Sequence, residues 1–441
     1  MKPQWICTTP AKPWSARPLP PAATPAGDGL ALHLTEARHQ IWEGTGGCFN
    51  ELGWLALAGL PARARDGVLR ALFDPAADSC RFNLCRLPIG ASDYAAQWYS
   101  LNETPGDLAM RRFTIARDRQ YLIPYARAAL ALRPDLRLFA SPWSPPTWLK
   151  HPPVYNYGTL VWRPAVLRAY ALYFVRYLQA YRRAGVRVHQ IHPQNEPVAD
   201  QKFPSCLWTG AQLREFIRDY LAPAFAAHKL DTEIWLGTLN TDDYDGFIAT
   251  VLDDPAARRL IAGVGFQWAG KGAVARTAAS WPGVRLMQTE NECGDGRNSW
   301  EYAHYIFRLW QHYVTHGVNA YVYWNLVLAA GGQSTWGWRQ NSLVTIAPDG
   351  AVTYTPEFYV MKHVGRYVTP GARRLGLAGA WAGNAFAFEN PDGTRVVLCH
   401  NSRAEPRPLT VVDGARAWAL SVPAGSFNTF VLPAARGCSQ L

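Results

Sequence analysis

The sequence predicts an α/β protein, a (β/α)8 TIM barrel with a small all-β sandwich as side domain. Three observations lead there. Short apolar, strand-like runs alternate with longer helix-period stretches, and eight such runs are found. No G-x-G-x-x-G follows an early strand, which argues against the doubly wound open sheet that any α/β alternation first suggests. After about residue 366 the helical periodicity stops, and short runs separated by Gly, Pro, Asn and Asp take its place. The 441 residues suit a barrel plus an appended domain, since barrels run to about 250 residues and beyond as one unit. With 49% apolar and only 17% charged residues, the chain can bury a large core.

Taken in chain order, residues 1–29 form a Pro/Ala-rich lead-in, expected to be extended. Residues 30–40, which include Leu30-ALHLT, supply a strand to the sandwich. Residues 41–365 form the catalytic barrel, with strands expected at 41–46, 81–87, 136–141, 186–192, 233–238, 263–268, 284–290 and 320–325. Between them lie helices such as 164–185, which ends at Gly185 after Arg182 and Arg183 as a helix C-terminus should, and 300–317. Residues 366–441 form the sandwich, with strand runs opening at Ala385, Arg395, Leu409 and Asn428.

The formal charge of +11 raises nucleic acid as a partner. The basic residues are almost all Arg and are scattered, with runs no longer than pairs such as Arg182-Arg183 and Arg373-Arg374. A solvated surface is the better reading, and no nucleic-acid partner is expected. No run approaches 18 apolar residues, so no membrane insertion is expected. The lead-in lacks the apolar stretch of a signal peptide, so the expected location is cytoplasmic, or secreted or periplasmic if a leader has been removed. The eight cysteines form no C-x-x-C and are read as mostly free, buried thiols. No cluster of Cys, His and carboxylates has metal-ligand spacing, so neither metal nor cofactor is expected. The 19 Trp and 20 Tyr are first of all core residues, though indole faces also stack on pyranose rings.

Catalytic side chains of a barrel cluster at the C-terminal ends of its strands. The fourth run, VRVHQIHPQNEP, ends in Asn195-Glu196-Pro197, and the seventh, VRLMQTENECG, ends in Thr289-Glu290. Two carboxylates at separate strand ends of one barrel point into one cleft, which is what glycoside hydrolysis needs. Glu196 is the expected general acid/base and Glu290 the nucleophile, about 5–5.5 Å apart for a retaining reaction. Asn195 is expected to bond the sugar 2-hydroxyl. Glu292 competes with Glu290, because strand alternation points both to one face. Position favours Glu290, which ends the strand, whereas Glu292 lies toward a loop marked by Gly294, Asp295 and Gly296.

Seven stretches in order carry a resemblance: Gly44-TGGCFNELGW, Arg86-LPIGASDYA, Ser141-PWSPPTWLK, Pro193-QNEP, Gly265-FQWAGK, Gln288-TENECGDG and Tyr323-WNLVL. They resemble glycoside hydrolase family 30, the glucosylceramidase-like retaining β-glycosidases, whose members have a barrel and a side β-sandwich. The resemblance implies that Arg86 orients the nucleophile and that Asp93 and Trp143 bind the outer hydroxyls of the sugar. It also implies that Trp324 and Asn325 line the floor of the cleft. Read without it, Arg86 is equally an ordinary buried ion-pair partner, and Trp143 and Trp324 core aromatics. One departure stands out. Where that group ends its sixth strand in His-Trp-Tyr, this chain has Gln267-Trp268-Ala269, so Gln267 and Trp268 become the candidate substrate contacts and the tyrosine near the acid/base is absent.

The expected function is therefore hydrolysis of a β-linked glycoside by double displacement. The substrate is a β-glucoside or a related β-xyloside, β-fucoside or β-1,6-glucan. A non-catalytic carbohydrate-binding barrel and a transglycosidase are the alternatives, and the oligomeric state stays open.

Overall fold

The computed structural model describes residues 3–24 and 30–434. Eight parallel strands close into a barrel: Gly44–Cys48, Leu84–Ile89, Arg137–Pro142, Gln190–Ile191, Glu233–Leu239, Ile261–Gln267, Arg285–Glu290 and Ala320–Asn325. Each neighbours the next in sequence, and the eighth pairs with the first through Ala320 and Gly44. Leu84, Phe139, Trp235, Met287, Ala320 and Val322 form a separate buried cluster contributed by five of these strands.

The first strand lies a few residues later than its apolar pattern suggests. Ile41 ends the preceding sandwich strand, and the barrel strand is the glycine-rich Gly44–Cys48. Glycine is needed there for close approach: a Cβ on Gly46 would run into the Leu84 carbonyl, and one on Gly47 into the Leu326 side chain. The fourth strand pairs formally over two residues only. Its backbone nevertheless keeps bonding its neighbours, from His192 N–H to Ala140 C=O (2.9 Å), Asn195 N–H to Pro142 C=O (2.8 Å) and Glu196 N–H to Thr238 C=O (3.1 Å). That ladder carries residues 195 and 196 to the barrel rim.

Helix Pro164–Arg183 starts with proline in its first turn and buries eleven side chains, among them Leu167, Tyr170, Phe174, Leu178 and Tyr181. Their spacing of three and four residues makes one apolar stripe, and each large side chain so buried stabilises by roughly 1.5–3 kcal/mol. Helix Trp300–Thr315 is capped by Ser299, whose hydroxyl accepts from Tyr302 N–H at 3.2 Å.

The side domain is a nine-stranded sheet in the order Ser15–Arg17, Gln4–Thr8, Ser426–Leu432, Arg395–Asn401, Ala385–Glu389, Arg373–Ala378, Ala31–Ile41, Arg407–Asp413, Arg416–Val422. Trp5 and Phe430, near one edge of that order, share a buried cluster with Val411 and Trp418 at the other, so the sheet folds over into two layers. Within the lead-in, Gln4–Thr8 and Ser15–Arg17 are paired strands, with Trp5 opposite Phe430. The strands at Arg373–Ala378 and Arg416–Val422 have no clear apolar run. The first opens on two arginines and buries only Leu375 and Gly376, and the second buries Ala417, Trp418 and Val422. All seven described cysteines are buried and unbonded, and Cys438 lies outside the described residues. Among the described residues, no helix is long and apolar enough to cross a membrane.

Candidate active site

Glu290 is the last residue of the seventh strand, and Glu196 follows the fourth. Glu196 has φ +51°, a left-handed backbone that few side-chain-bearing residues adopt, held between the Thr238 carbonyl and Pro197. Both carboxylates line one cleft of ≈ 330 Å3, together with Asp93, Trp143, Trp268 and Gln340.

Behind them lies Arg86, wholly buried on the second strand. It donates from Nη1 to Glu290 Oε2 at 2.5 Å, and from Nη2 to Asn195 Oδ1 at 2.6 Å and Ser141 Oγ at 2.7 Å. The Trp143 ring lies 4.5 Å from the guanidinium carbon. A buried carboxylate needs such a charged, geometrically fixed partner. The other Glu290 oxygen accepts from the Trp268 indole N–H at 3.1 Å. Glu196 receives only a neutral amide, Gln267 Nε2 to Oε1 at 3.1 Å.

This unequal company sets the two protonation states. Burial and then the neighbouring Glu290 charge push Glu196 up to about 8. Burial raises Glu290 as well, but Arg86 and the Trp268 N–H oppose it, so Glu290 is the group that ionises first. Burial and the two glutamates hold Asp93 well above the usual carboxylate range. Among the described residues its Oδ1 has no partner and its Oδ2 meets only Gln340 Nε2 at 3.4 Å. Cys48 and Cys293, also near Glu290, are held neutral by burial.

The sequence candidates thus divide into two layers. Glu196, Glu290, Asp93, Trp143 and Trp268 line the cleft. Arg86, Asn195, Gln267, Trp324 and Asn325 stand behind it. Asn195 Oδ1 is taken up by Arg86, Thr238 and Gln267, while its Nδ2 has no partner among the described residues. Gln267 is fully buried, and its Oε1 accepts from Thr289 while its amide holds Asn195 and Glu196. Trp324 packs under Trp143 at 5.3 Å between ring centroids. Asn325 is the other residue expected at the floor. Its side chain is buried and donates to Gln340 Oε1 at 3.0 Å, so it reaches the cleft only through Gln340.

Glu292 turns away from the cleft. Its carboxylate is bound by Lys271 Nζ at 2.5 Å and by the Tyr305 hydroxyl. The strand ends at Glu290, so alternation no longer governs the residue two places on. Ala269, Val198 and Ala199 line the cleft as well, with small side chains. Five further lining residues carried no motif: Gln340 and Trp338 after the eighth strand, Gln201 and Phe203 after the fourth and Asn240 after the fifth. Phe203, Trp336, Trp338 and Trp268 form a chain of aromatic contacts, 5.3, 5.2 and 6.1 Å between successive rings. The loop bearing two of them is tied across the rim by Tyr94 O–H to Gly332 C=O at 2.6 Å and Thr335 O–H to Ala95 C=O at 3.1 Å.

Residues 42–368 match the model of the glycosyl hydrolase family 30 TIM-barrel domain, and residues 371–430 that of the glycosyl hydrolase family 30 beta sandwich domain. The lysosomal acid glucosylceramidase of Mus musculus is 28% identical over 93% of this chain and 84% of its own. The endo-1,6-beta-D-glucanase neg1 of Aspergillus fumigatus is 28% identical over 95% of this chain and 91% of its own. The crystal structure of SrfJ from Salmonella typhimurium superposes with a TM-score of 0.90 at 25% identity, covering 99% of this chain and 100% of that one.

Proposed function

The chain belongs to glycosyl hydrolase family 30 and is a retaining hydrolase of β-linked glycosides, and from that premise we propose that Glu290 is its nucleophile, Glu196 its acid/base and glucose its preferred sugar. Glu290, ionised and fixed by Arg86 and Trp268, attacks the anomeric carbon while Glu196 gives its proton to the departing oxygen. The C–O bond to the leaving group breaks as the ester bond to Glu290 forms. Glu196, now ionised, takes a proton from water, whose oxygen attacks the same carbon and releases Glu290 as carboxylate. Inversion twice gives retention.

The observation that supports these roles most is the different company of two carboxylates in one cleft: a guanidinium on Glu290, a neutral amide on Glu196. Asp93, Gln340, Asn195 Nδ2 and the Trp143 face would hold the sugar hydroxyls and ring. Relatives named for glucosylceramide and for 1,6-β-glucan both carry a glucosyl unit, which supports glucose.

The test pairs a panel of aryl β-glycosides with trapping. A 2-fluoro-glucoside should label Glu290, located by mass spectrometry of the peptic digest. Glu196→Ala should lose on the order of 10²–10⁴-fold on poor leaving groups, much less on activated ones, with azide restoring turnover as the β-glycosyl azide. A label on Glu292, or a β-xyloside cleaved in preference to the β-glucoside, would reject the corresponding part of the proposal.

A further inference from the structure

Trp268 occupies an awkward place. It has φ +49° at the junction of the sixth strand and the short helix Trp268–Ala273, a conformation disfavoured for any residue with a side chain. From there its indole N–H reaches Glu290 Oε1. What keeps it there lies outside the cleft. Lys271 Nζ donates to the Trp268 carbonyl at 3.3 Å and to Glu292 Oε1 at 2.5 Å. Helix Trp300–Thr315 braces both members of that pair. Tyr305 O–H binds the second Glu292 oxygen, and His312 Nε2 donates to the Lys271 carbonyl at 2.9 Å. Neither Lys271 nor Glu292 lines the cleft.

We propose that the Lys271–Glu292 pair, braced by Tyr305 and His312, is a positioning clamp that locks the loop after the sixth strand to the loop after the seventh and so holds the Trp268 N–H on Glu290. It rests on the reading of Glu290 as nucleophile. A solvent-facing ion pair contributes little to stability by itself. Here it fixes one hydrogen bond to a reacting carboxylate, and that bond is where its removal is felt. The groups that face Glu290 directly are Arg86, Trp268, Gln267, Glu196, Asp93, Cys48 and Cys293; the clamp is bonded to Trp268 alone among them, and Glu292 also bears on Cys293 through its charge.

The experiment measures kcat and KM against pH on an activated aryl β-glucoside, for the parent and for Lys271→Met, Lys271→Arg, Glu292→Gln, Trp268→Phe and the Trp268→Phe/Lys271→Met double variant. Lys271→Met should lose roughly 10-fold in kcat, the scale of one weakened bond to a charged group, with KM little changed and the acidic limb moved to higher pH. Trp268→Phe should lose at least as much, and the double variant no more than Trp268→Phe alone. Lys271→Arg should recover most of the loss. If Lys271→Met does not fold, Glu292→Gln carries the test, since it keeps size and shape and removes the charge. An acidic limb that stays in place in folded Lys271→Met or Glu292→Gln, or losses that add in full in the double variant, overturns the clamp. Trapping in the parent separates the two levels: a label on Glu290 leaves the outcome to the clamp alone, and a label elsewhere overturns the nucleophile reading and the clamp with it.

Discussion

Glu196→Gln should make the enzyme nearly inactive on poor leaving groups and at the same time more stable above neutral pH. Glutamine keeps the shape, still accepts from Gln267 Nε2, and removes the one charge that this site resists. In the folded chain Glu196 ionises at about 8, against an ordinary value of 4.5, chiefly because burial leaves it without a charged partner. Between 4.5 and about 8 the unfolded chain has therefore lost a proton that the folded chain retains. Stability falls with rising pH across that window and is unaffected by this group below it. At pH 7, at about 1.4 kcal/mol for each pH unit above the ordinary value, the loss is about 3 kcal/mol. For a chain of this length the unfolding entropy corresponds to about 1 kcal/mol per degree, so Glu196→Gln should melt about 3 °C higher near pH 7 to 8 and show almost no gain at pH 4. Scanning calorimetry of both proteins at the two pH values measures this. Equal shifts at pH 4 and pH 8, or a variant that melts lower at pH 8, would refute the claim that Glu196 is held neutral by its surroundings.

Three further outcomes are expected. The rate of the parent on an unactivated substrate should fall as pH rises through about 8, where Glu196 loses its proton; a pH profile reads it. Arg86→Lys keeps the charge but cannot reach Glu290, Asn195 and Ser141 together, and should lower kcat about 10²–10³-fold on one or two lost charged hydrogen bonds. Ala269→Tyr fills space in the cleft that Glu196 and Glu290 line. It should raise KM for bulky leaving groups by about 10-fold and leave small aryl glycosides little affected, as initial rates on a leaving-group series will show.

The barrel was legible because period and punctuation repeat eight times, and the two glutamates because each ends a strand run. Legibility failed where a residue's role depends on what another segment brings to it. Gly44–Cys48 is a strand by virtue of close approach to Leu84 and Leu326, which no apolar pattern records. Gln340 and Trp338 sit in a loop of Gly, Ser, Thr and Trp with no periodicity, and become cleft residues only because Tyr94 and Thr335 strap that loop across the rim. The choice between Glu290 and Glu292 turned on a strand end that position suggested and the Lys271 and Tyr305 contacts make physical. Asn325 had its expected place from the resemblance alone, and one residue along a strand from Trp324 is the opposite face.

The pairing of Gln4–Thr8 with Ser426–Leu432 has a consequence for how the molecule is made. At about 5–20 residues per second, a ribosome needs on the order of 20–80 s between delivering the one strand and the other. Through that interval Ala31–Ile41 waits as well, because both its partners, Arg373–Ala378 and Arg407–Asp413, come after the barrel. The barrel has time to close first, and the sandwich then seals around segments that left the ribosome at the outset. A polypeptide released short of Ser426 leaves Trp5 and Ile6 without the strand that covers them. It then carries the open apolar edge that invites aggregation and by which quality-control machinery sorts unfinished molecules from finished ones.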